Sequence, residues 1–432
     1  MSEAQIPELG EYSREIAQSV VVKYEGKRYL TPTRSLRERL GPDNNQRSIF
    51  ITPSSYSSVL AGQQGPSTFS TQLNSIGLTF ANEMNLEFTI ENTTGSTAAV
   101  NPYWSMIDRI EVVIGGGGGA SQQSSTCYLY GQPSFLASLD EAVAGGSFEQ
   151  IAENNGISST LTNGVFPPLY GASTPLGAGA TALAILKVPE PLCQTELPLS
   201  LSDAQYTMRI FWSSNPTNYG PAVAAGDIAL NDIRIHLRGL RLNERLHSIL
   251  AQRCRIAPTV YSCCYWRRYY TTGVVLASGA PTLQPYLASQ GWVYCLRNYF
   301  SSAAEGLPSF QPLITTLGNS FAQAAIYSQM SGQFVLQSES GGKVGITKTY
   351  MAERAPFSPL PRLSVYDFAN IEDIVGCQKR GAAGAVFRVN TNDLQLQCVP
   401  TESATRVWFQ LTLTAGFLTL ANGSVGLRWF ES

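Results

Sequence analysis

NPYWSMIDRIEVVIGGGGG, residues 101–119, decides how the rest of the chain is read. It opens on an Asn-Pro turn, Asn101 and Pro102. A strand follows: Ile107, Ile110, Val112 and Ile114 are apolar, and Asp108, Arg109 and Glu111 interrupt them. Then come five consecutive glycines, 115–119. Glycine loses more backbone freedom on ordering than any other residue, so such a run holds neither a helix nor a strand interior. Glycine-rich loops also cradle phosphates through their backbone N–H groups. This one lacks the Lys-Ser/Thr that a P-loop needs, and ASQQSST at 120–126 does not begin an apolar-striped helix. The stretch predicts a long loop leaving a strand of an all-β protein.

Composition points the same way. The 432 residues suffice for two ordinary domains with full cores. Charged residues make up 14%, against about 25% in an average soluble domain. A chain so poor in charge hides much of its surface in partners. Its net charge of −2 creates no global field toward nucleic acid or anionic lipid. The 38 Gly, 24 Pro and 20 Tyr favour turns and strands.

The residues of acid–base and metal chemistry are scarce. Two histidines, His236 and His247, do not make a metal site and are expected as surface or helix residues. None of the eight cysteines (Cys127, Cys193, Cys254, Cys263, Cys264, Cys295, Cys377 and Cys398) forms a C-x-x-C pair that would suggest zinc. Buried free thiols are the expected state, and a disulfide between distant cysteines stays open. Adjacent Cys263 and Cys264 would point to opposite faces of a strand. The first fifteen residues are too polar for a signal peptide, and no run of about 18 apolar residues suggests a membrane span. A soluble compartment is expected.

Residues 1–45 read as an arm. Tyr12, Ile16 and Val20 form one stripe of a short amphipathic helix. Lys23, Lys27, Arg28, Arg34, Arg37 and Arg39 then outnumber Glu25 and Glu38. Such a patch touches lipid headgroups or nucleic acid, or is solvated or bridges subunits; the last pair is favoured.

From residue 46 the strands begin. NLEFTIEN, 85–92, alternates cleanly: Leu86, Phe88 and Ile90 on one face, Glu87, Thr89 and Glu91 on the other. Residues 138–155 read as helix and 156–182 as a long loop. Leu197, Leu199 and Leu201 alternate, as do Met208, Ile210 and Trp212. IALNDIRIHLRGL, 228–240, turns Ile233, Ile235 and Leu237 one way and Arg234, His236 and Arg238 the other. A helical linker at 241–256, with Leu242, Leu246, Ile249 and Leu250 on one face, separates the first set from a second over 257–432. That set begins with β-prone runs at 259–270 and 292–300. Helix is expected over 321–329 and 365–376, and a hairpin across Ser340-Gly-Gly. The triplet Leu394, Leu396, Cys398 and the following Val407, Phe409, Leu411 echo the two leucine- and tryptophan-bearing triplets of the first half.

Two successive runs of about eight short strands read as two tandem antiparallel sandwiches, and a jelly roll is one way to arrange eight strands. At this point the chain, over 46–432, resembles the double jelly-roll major capsid proteins of tailless icosahedral viruses, the lineage of adenovirus hexon. The phrase carrying the likeness is Ile-Asp-Arg-Ile-x-hydrophobic-x-Ile-Gly-Gly, here from Ile107 to Gly116, with a loop-rich passage in each half. The resemblance implies an all-β fold of two tandem eight-stranded jelly rolls, at 46–240 and 257–432. It implies homotrimers of pseudo-hexameric outline that tile an icosahedral virion shell, assembled inside the host cell. Neighbouring capsomers and minor capsid, penton or spike proteins would be the partners. Contact of the arm with an internal membrane is left open, and no sequence-specific nucleic acid is implied. No catalytic, cofactor-binding or metal-ligating residue is expected.

Two rivals compete. A receptor- or carbohydrate-binding sandwich such as a viral spike could stack sugars on Trp266, Tyr269, Tyr270, Trp292 or Tyr294; core filling is the expected role for these rings. A glycoside hydrolase needs two carboxylates across a groove. Asp367, Glu372 and Asp373 cluster on an expected short helix, where they suit its N-terminus, and Asp108 and Glu111 lie on one strand, three positions apart, with opposite facing.

Overall fold

The computed structural model of the chain describes residues 20–24, 27–31, 46–63, 65–101, 103–115, 125–128, 174–188, 191–256, 259–280, 282–285, 291–301, 321–328, 333–337, 362–367, 387–389, 394–400 and 403–429. An N-terminal hairpin, β1 (Val20–Tyr24) and β2 (Lys27–Thr31), precedes two strand series. The first comprises β3 (Gln46–Ile51), β4 (Val59–Leu60), β5 (Pro66–Gln72), β6 (Phe80–Asn92), β7 (Ala98–Val100), β8 (Ile107–Gly115), β9 (Ser125–Tyr128), β10 (Thr174–Leu176), β11 (Thr181–Lys187), β12 (Gln205–Trp212) and β13 (Ile228–Leu240), with the helical turn α1 (Pro191–Gln194) before β12. Helix α2 (Glu244–Ile256) follows. The second comprises β14 (Thr259–Leu276), β15 (Thr282–Pro285), β16 (Gly291–Ser301), β17 (Phe321–Ser328), β18 (Gln333–Gln337), β19 (Arg362–Asp367), β20 (Phe387–Val389), β21 (Leu394–Pro400), β22 (Ala404–Ala421) and β23 (Ser424–Trp429).

The pairing gives the topology. In the first series β8 pairs β9, β6 pairs β11, β5 pairs β12 and β3 pairs β13, all antiparallel. These pairs are nested, so the chain runs in through one arm of a long hairpin and back through the other. The hairpin then curls on itself, because β13 also pairs β6 and β12 also pairs β8. Two sheets result, β11-β6-β13-β3 with β4 beside β13, and β5-β12-β8-β9. A rolled long hairpin of this kind is a jelly roll.

The second series repeats the plan. β17 pairs β18, β16 pairs β19, β15 pairs β21 and β14 pairs β22. Closure again comes from the inner pairs, β22 on β16 and β21 on β17. Its sheets are β14-β22-β16-β19 and β15-β21-β17-β18. The β1–β2 hairpin extends the first of these through a parallel pairing of Leu30 with Thr259.

Period-two alternation fills the first roll. Leu86, Phe88 and Ile90 of β6, Ile110, Val112 and Ile114 of β8, and Met208, Ile210 and Trp212 of β12 are all buried in one cluster. Phe88 meets Trp212 edge-on, with ring centroids 5.3 Å apart. Each such side chain contributes about 1.5–3 kcal/mol relative to exposure. Tyr219 is enclosed as well; its hydroxyl donates to the Ser213 carbonyl at 3.1 Å, and burial raises its phenol pKa. At Gly239 of β13 a Cβ would collide with the Phe80 carbonyl of β6, so only glycine lets the two backbones approach there.

One irregularity sets the phase of β13. The register with β6 shifts between Asn231 and Arg234, and Asp232 sits at φ 52°. This bulge inserts a residue, so that Asn231, Arg234 and His236 share the outward face while Leu230, Ile233 and Ile235 are buried.

Helix α2 starts where Asn243 Oδ1 accepts the Leu246 N–H at 2.9 Å, an N-cap. Its Leu246 and Leu250 pack with Leu242, Leu240 and Phe80, and Ile249 leans on them. The second series reaches the first roll directly. Tyr261 and Cys263 of β14, Leu418 and Leu420 of β22, and Val425 and Leu427 of β23 belong to the same apolar cluster as the first roll's core. The Asn422-Gly423 turn, both residues at positive φ, joins β22 to β23 and accepts the Asp203 N–H at 2.8 Å through the Gly423 carbonyl.

Several local expectations need correction. Val20 opens a strand, not the end of a helix stripe. Leu199–Leu201 forms a 3-10 turn: Leu199 is buried, and the Leu201 and Ser202 N–H groups bond back to Pro198 and Leu199. Phe321–Ser328 is a strand between β18 and β21; two sheet partners outweigh its helix-compatible alanines. Val365 to Asp367 are strand for the same reason, since they pair with β16. Phe334 to Gln337 belong to β18, whose partner is β17. The helix at 138–155, the residues 344–350 of the expected hairpin and the rest of 368–376 lie outside the described residues. The echo between the halves matched the wrong strands, because the nested plan makes β12 the counterpart of β21 and β13 the counterpart of β22.

Candidate functional site

The first roll carries a charged cluster on the outward face of each sheet. On the β11-β6-β13-β3 face the centre is Glu87 of β6, only 6% exposed. Arg234 of β13 forks onto its Oε2 with Nε at 3.0 Å and Nη2 at 2.9 Å. His236, 8% exposed, meets Oε1 through Nδ1 at 2.7 Å. A carboxylate only accepts, so Nδ1 carries the proton. The imidazole stacks on Phe50 of β3 at 4.5 Å, and the Arg234 guanidinium lies 4.6 Å from the same ring. Beside them Arg238 reaches Glu83 at 3.7 Å, and the Asn231 amide donates to Glu91 at 2.8 Å. The bulge at Asp232 makes this possible, because without the inserted residue Arg234 and His236 would face the core.

On the β5-β12-β8-β9 face the centre is Glu111 of β8. Arg109 donates to it from Nε at 3.1 Å, and Arg209 of β12 stands at 3.8 Å. Arg109 also reaches Asp108 at 3.3 Å and lies over the Phe211 ring at 3.8 Å.

These networks show what became of the residues weighed from sequence. Asp108 and Glu111, expected to face opposite ways, are both engaged by Arg109, at 3.3 Å and 3.1 Å. His236 is not a surface residue but nearly buried, because it faces Glu87 across the sheet. His247 is on α2, with Nε2 2.8 Å from the Ser200 hydroxyl. Asp367 ends β19, while Glu372 and Asp373 lie outside the described residues. Trp266, Tyr269 and Tyr270 lie on β14, and Trp292 and Tyr294 on β16. Cys193 and Cys263 are buried and Cys254 is partly buried. Among the described residues no group of three His, Cys, Asp or Glu side chains is placed to hold a metal ion, and no helix is long and apolar enough to cross a membrane. The Glu87 cluster itself was missed. Its only signal is that two polar strand faces, Glu87/Glu91 and Arg234/Arg238, carry opposite charge.

No protein-family model matches the chain, and no curated protein matches it. Solved structures do. VP54 of the virus PBCV-1, in a crystal structure fitted into a cryo-EM reconstruction of the virophage Sputnik, aligns with TM-score 0.53 and 12% identity over 90% of this chain and 98% of its own. The quasi-atomic PBCV-1 virus capsid aligns with TM-score 0.54 and 13% identity over the same shares, 90% and 98%. At such identity the likeness is one of fold, and it agrees with the nested pairing found twice along the strands. The chain has the double jelly-roll fold of these viral capsid structures.

Proposed function

We propose that the chain is a major capsid protein: a homotrimer of pseudo-hexameric outline that tiles an icosahedral virion shell assembled in the host cell. The observation carrying this reading is the repetition of one strand plan in a single chain. Two like rolls per copy, taken three times, make six similar units around one axis. Closed rings of this kind use one heterologous contact repeated by rotation. The low charge fits wide subunit contacts, and the loops between strands are free to vary on a rigid sandwich. Neighbouring capsomers and minor capsid, penton or spike proteins are the partners this reading assigns, and the role is structural, with no catalytic residue. Residues 1–45 would contact a neighbour or the inner layer of the shell. Expression of the full chain with imaging of the product tests the reading. Hexagonal particles or shells support it, and a monodisperse monomer sends it to the glycan-binding alternative.

A further inference from the structure

The two outward faces of the first roll differ in what they leave uncovered. On the β11-β6-β13-β3 face, Phe50 is 52% exposed, Leu183 53% and Leu60 38%. The register puts all three on one side: Phe50 opposite His236, Leu183 opposite Thr89, Leu60 opposite Ala229. Between them Arg234 is held by Glu87 and Arg238 by Glu83, while His236 bonds Glu87 and the Asn231 amide bonds Glu91. A surface whose arginines are held by its own carboxylates and that projects apolar side chains offers little to a phosphate backbone. A protein can cover it without stranding a charge.

The strand plan says which protein. In the second roll, the first and last strands of the nested hairpin, β14 and β22, carry residues that pack against the first roll: Tyr261, Cys263, Leu418 and Leu420. Their counterparts in the first roll are β3 and β13, the outermost pair of that hairpin. Phe50 stands on β3, half exposed, over His236 of β13. We propose that the second roll of a neighbouring copy of this chain covers the outward face of β3, β13, β6 and β11. The roll-to-roll contact made within the chain is then repeated between chains, head to tail, and closes at three copies. This inference rests on the homotrimer reading and names the face that closes it.

The test uses the full chain and light scattering at matched concentration. Wild type is expected at three times 46.8 kDa. The double variant Phe50→Ser/Leu183→Ser is expected at 46.8 kDa, with an unchanged far-ultraviolet spectrum because both side chains stand outside the core. Phe211→Ser, on the opposite face, is expected to keep the trimer mass. A double variant that stays trimeric overturns the inference and leaves the capsid reading in place. A wild type that is monomeric at every concentration overturns the reading, and the inference with it. Should the double variant not fold, hydroxyl-radical labelling of wild type decides: Phe50 and Leu183 shielded in the trimer but labelled on dilution supports the face, and equal labelling in both overturns it.

Discussion

Glu87 and Glu111 sit at the centres of opposite outward faces of one roll, and they solve the same problem with different partners. Each is a nearly buried carboxylate on a sheet surface, 6% and 7% exposed. Each takes a cross-strand arginine, and in each cluster a guanidinium lies on a phenylalanine ring, Phe50 or Phe211. The difference is in the second partner. Glu111 has two arginines whose side chains remain 38% and 48% exposed, so water shares the work. Glu87 has one arginine, itself 42% exposed, and an imidazole as enclosed as the carboxylate, and its phenylalanine stands in the open. A cross-strand ion pair on a solvated face contributes little. The same carboxylate, held also by an enclosed imidazole and rimmed with exposed apolar side chains, resembles a face prepared for cover.

The largest effect should separate the two. Glu87→Leu leaves the enclosed His236 Nδ1 without its acceptor, while Arg234, 42% exposed, can turn to solvent; it should cost about 2 kcal/mol in urea unfolding. A loss no greater than that of the Glu111 variant below would erase the distinction between the faces. Alkaline unfolding supplies a reference that touches neither face. Burial holds the Tyr219 phenol above its ordinary value of 10.0. The unfolded chain therefore loses that proton first as pH rises past about 10, and the folded state, holding more protons, loses up to about 1.4 kcal/mol per pH unit. Below that window the contribution is intact, and Tyr219→Phe should flatten the alkaline slope without altering the Glu87 result. Next in size, Glu111→Leu should cost about 1 kcal/mol, since both arginines can turn to solvent. The smallest effect has the opposite sign. Asp232→Gly removes the strain of a non-glycine residue at φ 52° and should stabilise by about 0.5–1 kcal/mol, seen as a raised Tm. A destabilised Asp232→Gly would mean that the bulge needs its aspartate, and with it the phase of Arg234 and His236.

Local pattern carried much of this fold. The alternation at 85–92 marked a strand, and β13 matches the apolar run at 228–240 residue for residue. The asparagine-capped helix after β13 was legible from its leucine stripe. What failed was sheet membership deciding against local preference, as at Phe321–Ser328, where neighbours on both sides make a strand of an alanine-rich segment. The Glu87 cluster was illegible for a related reason. His236 lies 149 positions from its carboxylate, and their meeting depends on a register that a one-residue bulge resets. Likewise, repetition of the fold shows in which strands pair, and the two halves pair alike.

The most direct test of the capsid account is the solution mass and outline of the purified full chain. Light scattering should return three times 46.8 kDa, and class averages of negatively stained particles should show a hexagonal outline built from three copies. A single species of 46.8 kDa across the accessible concentration range, with no hexagonal class, would contradict it.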